Sequence, residues 1–332
     1  MTTALHSGSQ PAVSLVVPVY NEVETTPEFY RRATTALAGC AVPYEIIFVD
    51  DGSTDGSLEL LRQLAQDDAR VRVISFSRNF GHQTAVTAGL NYSSGAAVIV
   101  IDGDLQDPPE IIPDLLARWR EGYQVVYAVR RTRREGWLKR LSYRAFYRLL
   151  HKLAYVNMPV DAGDFAIMDR CVVDLLNQMP ERNRFVRGIR AWVGFRQTGL
   201  EYDRDPRFAG ESKYPFTKLM RLAYDGVVSY SFVPLRVATQ LGFVTSGVAF
   251  AAIAYFLGLR VFFGTKLLGW TSTMVAILFL GGVQLISIGI LGEYVGRIFD
   301  EVKRRPLYVV KEAVGFDTQA VAEVRRSAGT AG

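Results

Sequence analysis

The residues best suited to chemistry lie in the run Asp102-Gly103-Asp104-Leu105-Gln106. Two carboxylates and an amide oxygen at alternate positions make a hard-oxygen set suited to Mg²⁺ or Mn²⁺. A cation held there would offset the charge that builds on a departing diphosphate as the bond to it breaks. The run follows Ala97 to Ile101, an apolar stretch that reads as a buried strand, so the acidic pair sits at a strand end. Two more strand ends carry comparable loops. Ser14 to Val19 gives way to Tyr20-Asn21-Glu22, and Tyr44 to Val49 gives way to Asp50-Asp51-Gly52-Ser53. Glu22 and Asp51 suit hydroxyl or imide donors, while Pro18 and Tyr20 offer flat apolar surface. Taken alone, Asp50-Asp51-Gly52-Ser53 reads equally well as a turn and helix cap.

Helices over Thr26–Ala38, Ser57–Gln66 and His82–Asn91 separate these strands from one another and from strands at Val71–Ser75 and Gln124–Val129. Such alternation implies βαβ units, a mainly parallel sheet and a Rossmann-like α/β domain. Ligands of these sheets sit beyond the C-terminal strand ends, where the acidic loops converge. His82 opens a helix beside those ends; contact with a sugar or diphosphate and a capping role are both open to it.

The rest of the chain points to a membrane. Of 332 residues, 49% are hydrophobic and 21% charged, which excludes a disordered or wholly membrane-embedded chain. The apolar excess is concentrated in two stretches, Val237–Phe263 and Thr273–Val295. Each exceeds the ~20 residues that cross ~30 Å of hydrocarbon. Arg236 precedes them and Arg297, Lys303, Arg304 and Arg305 follow, so both termini are expected in the cytoplasm, at the plasma (inner) membrane. Gly282, Gly289 and Gly296 recur every seven residues, a smooth stripe for packing within the hairpin or between copies.

Two amphipathic segments, 137–155 and 214–232, read as interfacial helices. In the first, Arg140, Arg144, Arg148 and Lys152 oppose Leu138, Phe146, Leu149 and Leu153. The net charge of +5 is therefore placed for a bilayer and phosphorylated ligands, not for nucleic acid. Cys40 and Cys171 have no metal-ligand spacing and are expected to be reduced. The N-terminal residues lack the apolar core of a signal peptide, so the first domain is expected in the cytosol. The expected organisation is a flexible start (1–12), a catalytic domain (13–232), two transmembrane helices (233–297) and a C-terminal strand and tail (298–332). That last strand is placed at Pro306–Val310.

Val17-Pro18-Val19-Tyr20-Asn21-Glu22, Val49-Asp50-Asp51-Gly52-Ser53-Thr54-Asp55 and Asp102-Gly103-Asp104-Leu105-Gln106-Asp107-Pro108-Pro109-Glu110 resemble glycosyltransferase family 2. Arg78-Asn79-Phe80-Gly81-His82-Gln83, Arg207-Phe208-Ala209-Gly210-Glu211-Ser212-Lys213-Tyr214 and the hairpin are similar to its polyprenyl-phosphate branch. That branch includes dolichyl-phosphate mannose synthases and GtrB-type polyisoprenyl-phosphate glucosyltransferases. The resemblance runs from about Ser14 to Val310.

It implies a glycosyltransferase A-type fold in which Pro18, Tyr20, Glu22 and Asp51, with Asp50 and His82 nearby, receive the nucleotide-sugar. Asp102, Asp104 and Gln106 would hold the metal and diphosphate, Asp104 and Gln106 most directly. Asp161-Ala162-Gly163-Asp164-Phe165 matches the branch's Gly-Asp-Phe segment. This makes Asp164 the carboxylate nearest the acceptor, with Asp161 as the alternative. A phosphate monoester is largely ionised near neutral pH, so a base there has little to do. Arg207 and Lys213 are expected on the lipid phosphate or diphosphate. Arg130 and Arg131, with Arg133 and Arg134, are expected on phosphate or lipid headgroups.

The implied reaction is an inverting transfer of glucose from UDP-glucose to an undecaprenyl-type polyprenyl phosphate, with GDP-mannose and other UDP-sugars open as donors. A processive polysaccharide synthase is disfavoured: Arg187-Gly188-Ile189-Arg190-Ala191-Trp192 lacks the glutamine and spacing of Gln-x-x-Arg-Trp. A non-catalytic scaffold or lipid-flippase partner is disfavoured by the intact Asp102, Asp104, Gln106 and Asp164. A flippase remains a possible partner and a homo-oligomer is expected.

Overall fold

The computed structural model describes residues 11–131, 162–179, 181–182, 184–204, 233–263 and 269–317. The two amphipathic segments, Asp161, Arg133, Arg134, Arg207 and Lys213 lie outside the described residues. The rest forms two compact units. One is an α/β unit that draws in residues from 305 onward, and the other is helical and ends at Arg304.

In the α/β unit the strands are β1 (Val13–Val19), β2 (Tyr44–Asp50), β3 (Val71–Phe76), β4 (Ala97–Val100), β5 (Val125–Arg130), β6 (Ala162–Asp169), β7 (Gln197–Tyr202) and β8 (Val310–Val314). They make one sheet in the order β7-β5-β6-β4-β1-β2-β3-β8. Its centre, β4-β1-β2-β3, is parallel as expected, and β5 and β7 are parallel to each other. The sheet is more mixed than the alternation implied, because β6 runs antiparallel to both β4 and β5, and β8 antiparallel to β3.

Alternation along the buried central strands sends side chains into two apolar layers. On one face Leu15, Val17, Ile46 and Phe48 pack with Phe29 and Leu37 of α1 (Thr26–Ala38), Leu61 of α2 (Ser57–Asp67) and Leu115 of α4 (Ile112–Arg120). On the other, Val16, Val98 and Val100 meet Val86 and Leu90 of α3 (His82–Tyr92), Val172 of α5 (Arg170–Gln178) and Ile189 of α6 (Val186–Trp192). The result is a three-layer α/β/α unit.

The last strand lies further along than Pro306–Val310, because Tyr308 is needed in the core. Its ring stacks on Phe76 at 5.1 Å and its hydroxyl accepts from Asn91 Nδ2 at 2.9 Å. The ladder therefore continues through the polar Lys311-Glu312, where Glu312 takes a two-pronged bond from Arg62 of α2 (2.8 and 2.5 Å).

The helical unit contains α7 (Val233–Phe263) and α8 (Trp270–Val302), packed along each other. At 1.5 Å per residue they run about 46 and 50 Å, longer than the stretches read from hydropathy. A soluble core helix of this length would bury its apolar face. Here Phe243 (76%), Phe250 (73%), Leu278 (73%) and Leu285 (72%) stay exposed, which demands apolar surroundings. A Cβ built on Gly282, Gly289 or Gly296 meets nothing within 4 Å, so the glycine stripe does not pack the described helices together.

Candidate active site

The C-terminal ends of β1, β2 and β3 carry loops that brace one another. Asn21 N and Glu22 N donate to Ser53 Oγ and Ser57 Oγ at 3.0 Å, and Val23 N donates to Asp55 Oδ2 at 3.1 Å. Asp50 is buried, accepting from Ser53 N (3.0 Å) and Ser75 Oγ (2.7 Å). Asp51, also buried, accepts from Phe80 N (2.6 Å) and Gly81 N (2.9 Å), so its carboxylate fixes the 78–81 loop. Burial, only partly offset by those two bonds, raises its pKa. Gly52 is required there: its φ is +72°, and a Cβ would stand 2.6 Å from the carbonyl carbon of Arg78. Tyr20 projects with 47% exposure just past β1, Pro18 is buried within the strand, and Glu22 accepts from Thr25 Oγ1 at 2.7 Å.

Beyond β4 the chain turns sharply. Leu105 adopts φ +59°, costly for a branched side chain, and is held by burying that side chain almost completely. Asp104 Oδ1 accepts from Gln106 N at 3.1 Å, closing the turn. Continuing the β4–β6 register sets Asp164 opposite Asp102, and His82 Nε2 stands between them, 3.5 Å from Asp102 Oδ1 and 3.3 Å from Asp164 Oδ2. Gln83 fastens the arrangement. Its Oε1 accepts from Val186 N (2.9 Å), which turns its Nε2 toward Asp164 Oδ2 (3.1 Å). From α6, Arg187 Nε lies 3.2 Å from Asp164 Oδ1, and the buried Arg190 donates to Gly163 O at 3.3 Å.

These surroundings split the two aspartates. Burial raises Asp102 to about 6, and the charges of Asp164, Asp107 and Asp104 add to it against the pull of His82. Burial pushes Asp164 the same way, but His82, Arg187 and Arg190 overcome it and hold that carboxyl at about 2. Burial also opposes charge on His82, yet its two carboxylate neighbours prevail and raise its pKa. Arg190 is lowered to about 10 by burial, against the attraction of Asp164.

Asp102 Oδ1 is buried without a hydrogen-bond partner, and although His82 lies 3.5 Å away, the charges of Asp164, Asp107 and Asp104 still favour a further cation beside it. No group of three or more His, Cys, Asp or Glu side chains able to hold a metal occurs among the described residues. The donor set thus fits a hard ion that takes one or two protein carboxylates and completes its shell on substrate phosphates.

Residues 14–176 match the family described as Glycosyl transferase family 2, and residues 233–298 match the GtrB C-terminal hairpin. Over 307 residues the chain is 46% identical to the Uncharacterized glycosyltransferase YkcC of Bacillus subtilis, spanning 92% of this chain and 95% of that protein. The chain belongs to glycosyltransferase family 2. It is also 43% identical over 300 residues to the Prophage bactoprenol glucosyl transferase homolog of Escherichia coli, covering 90% of this chain and 98% of that one. Among solved structures, glucosyl-3-phosphoglycerate synthase from Mycobacterium tuberculosis, with Mn²⁺, UDP and phosphoglyceric acid, is similar at TM-score 0.45 and 23% identity over 66% of this chain and 76% of that one.

The family 2 domain is therefore a glycosyltransferase A-type α/β unit, joined to a hairpin of two apolar helices. Within this glycosyltransferase the loops holding Tyr20, Glu22, Asp51, His82, Asp102, Asp104 and Asp164 gather at one end of the sheet. Arg130 points to Asp107, while Arg131 pairs on the surface with Glu201 (3.4 Å) and Asp203 (3.7 Å). Sequence reasoning missed Gln83, Arg187 and Arg190. The i, i+3 spacing of the two arginines marks one helix face, but nothing local says that this face meets Asp164. A cavity of about 290 Å³ opens at the start of β5, beside Trp119, Tyr123 and Asp169; its carboxylate is already engaged by Trp119 Nε1 at 3.0 Å.

Proposed function

We propose that the protein transfers glucose from UDP-glucose to a polyprenyl phosphate of undecaprenyl type, with inversion, at the cytoplasmic face of the membrane. The bactoprenol glucosyl transferase named in the Escherichia coli relative supports both acceptor class and sugar. Basic residues flanking the hairpin, Arg236 before it and Lys303 to Arg305 after it, favour cytoplasmic ends.

In this reading Asp102, Asp104 and Gln106 hold Mg²⁺ or Mn²⁺, which when bound neutralises charge on the nucleoside diphosphate. Tyr20, Pro18, Glu22, Asp50 and Asp51 shape the side of the cleft that takes the base and ribose. Asp164 stays ionised and serves as a fixed acceptor for a sugar hydroxyl; proton abstraction from the acceptor is unnecessary because its phosphate is already anionic. His82 and Arg187 keep Asp164 oriented. Arg130, Arg131, Arg207 and Lys213 face the acceptor phosphate or the diphosphate. The phosphate oxygen attacks the anomeric carbon, the bond to the diphosphate breaks, and a β-linked product follows from an α-linked donor.

The test is incorporation of labelled sugar into polyprenyl phosphate by the detergent-solubilised full chain. UDP-glucose, GDP-mannose and other UDP-sugars are compared, with and without chelator. Label from UDP-glucose that chelator removes supports the reading. Preference for another donor overturns the sugar assignment, and chelator-resistant transfer overturns the metal. No lipid-linked label from any donor overturns the enzyme reading.

A further inference from the structure

Asp107 closes the Asp102–Asp107 run, yet no role in nucleotide or metal binding falls to it. Its side chain is only 2% exposed. Oδ1 accepts from the Tyr202 hydroxyl and faces Arg204 Nε at 3.4 Å, while Oδ2 faces Arg130 Nη2 at 3.7 Å. Arg130 Nε also reaches Tyr202 Oη at 3.3 Å. These partners come from the ends of two parallel strands, since Arg130 pairs with Tyr202 in the β5–β7 register. A single buried carboxylate on the acidic loop thus ties down the points where the chain leaves the sheet, toward residue 132 and toward residue 205.

The charges do not cancel. Burial and the Asp107 charge push the Tyr202 phenol up, so it stays neutral and donates. Two guanidinium groups therefore meet one carboxylate, leaving an excess of one positive charge. Both arginines remain about a third exposed (29% and 31%), so each has donors directed outward. The notch adjoins the reacting end: a Cβ at Gly163, next to Asp164, would stand 3.5 Å from Arg130 Nη2. Paired guanidiniums with a spare charge match a phosphate monoester, to which each offers forked donors.

We propose that Asp107 is a positioning residue that gathers Arg130 and Arg204 into one notch beside the Asp102–Gln106 loop and so sets where the acceptor's phosphate is held. Arg204 joins the phosphate-binding groups, and Tyr202 aims the carboxylate. The proposal rests on the functional reading above for the identity of the acceptor. The donor's diphosphate offers the same oxygens, so the experiment separates the two.

Asp107→Asn, Tyr202→Phe and Arg204→Ala are assayed in the full chain in detergent, varying polyprenyl phosphate at saturating UDP-glucose and then the reverse. Binding of farnesyl phosphate is measured without donor. Asp107→Asn and Arg204→Ala are expected to raise acceptor KM and farnesyl phosphate Kd by about tenfold, the loss of one well-aimed charge-assisted bond, with donor KM within about twofold. Tyr202→Phe moves the same constants less. Unchanged acceptor constants overturn the proposal, as does a donor KM that rises in step. Should Asp107→Asn fail to fold, the other two variants decide by the same constants. A wild-type chain that binds farnesyl phosphate but transfers no sugar defeats the functional reading alone, and the notch is then judged by Kd.

Discussion

Replacing Asp164 by Asn tests whether its cationic neighbours hold it as a structural charge. In the wild type the carboxylate faces His82 Nε2 (3.3 Å), Gln83 Nε2 (3.1 Å) and Arg187 Nε (3.2 Å), with buried Arg190 adding its charge. A carboxyl at about 2 instead of the usual 3.8 corresponds to about 2 kcal/mol favouring the ionised, folded state. Breaking a fully buried pair costs about 3–5 kcal/mol. The smaller figure applies because Arg187 is 35% exposed and can rehydrate. For a domain of this size, that loss lowers Tm by about 4–8 °C.

The sign of the pH dependence follows. The folded pKa lies below the unfolded one, so the stabilisation is complete above pH of about 5 and fades as pH falls toward 2. Thermal unfolding of both proteins in detergent, followed by near-UV circular dichroism at several pH values between about 7 and 3, reads the gap directly. The gap is expected to be widest near neutrality and to close with acid. An Asn variant as stable as wild type at pH 7, or a gap that ignores pH, refutes the reasoning.

Asp104→Ala is expected to abolish sugar transfer while Tm moves by less than the effect of Asp164→Asn, because the residue sits in a partly exposed loop; near-normal turnover removes it from the metal site. Gly52→Ala forces a Cβ into the Arg78 backbone at positive φ and is expected to cost about 2 kcal/mol or more. Donor affinity should fall with it, since the 78–81 loop must shift; equilibrium unfolding and a donor titration check both. Tyr308→Ala removes a ring stacked on Phe76 and is expected to cost about 3 kcal/mol in urea unfolding. A change below about 1 kcal/mol would show that the C-terminal strand contributes little.

Asp102 and Asp104 were legible because they end an unbroken apolar strand, where chain direction alone says which way the loop points. Glu22 and Asp51 were legible for the same reason. Asp164 came only through resemblance: β6 runs against its neighbours, so the start of that strand meets the others' ends, a reversal that no local pattern announces. Gln83, Arg187, Arg190 and Tyr202 were hidden for a related cause. Each acts through a partner at least 80 residues away or across the sheet, and spacing within its own element carries no trace of that partner. The strand at Val310–Val314 was displaced in the reading because edge strands tolerate lysine and glutamate, which mimic a loop.

The placement of β8 ties the order of synthesis to the completion of the sheet. Tyr308 and Glu312 complete the sheet edge beside β3, yet they leave the ribosome only after both long helices have been made. A nascent chain stopped before residue 305 lacks the cover over Phe76 and the Glu312 partner of Arg62, so its sheet edge beside β3 is unfinished. The edge of the sheet is thereby completed only once both long apolar helices exist.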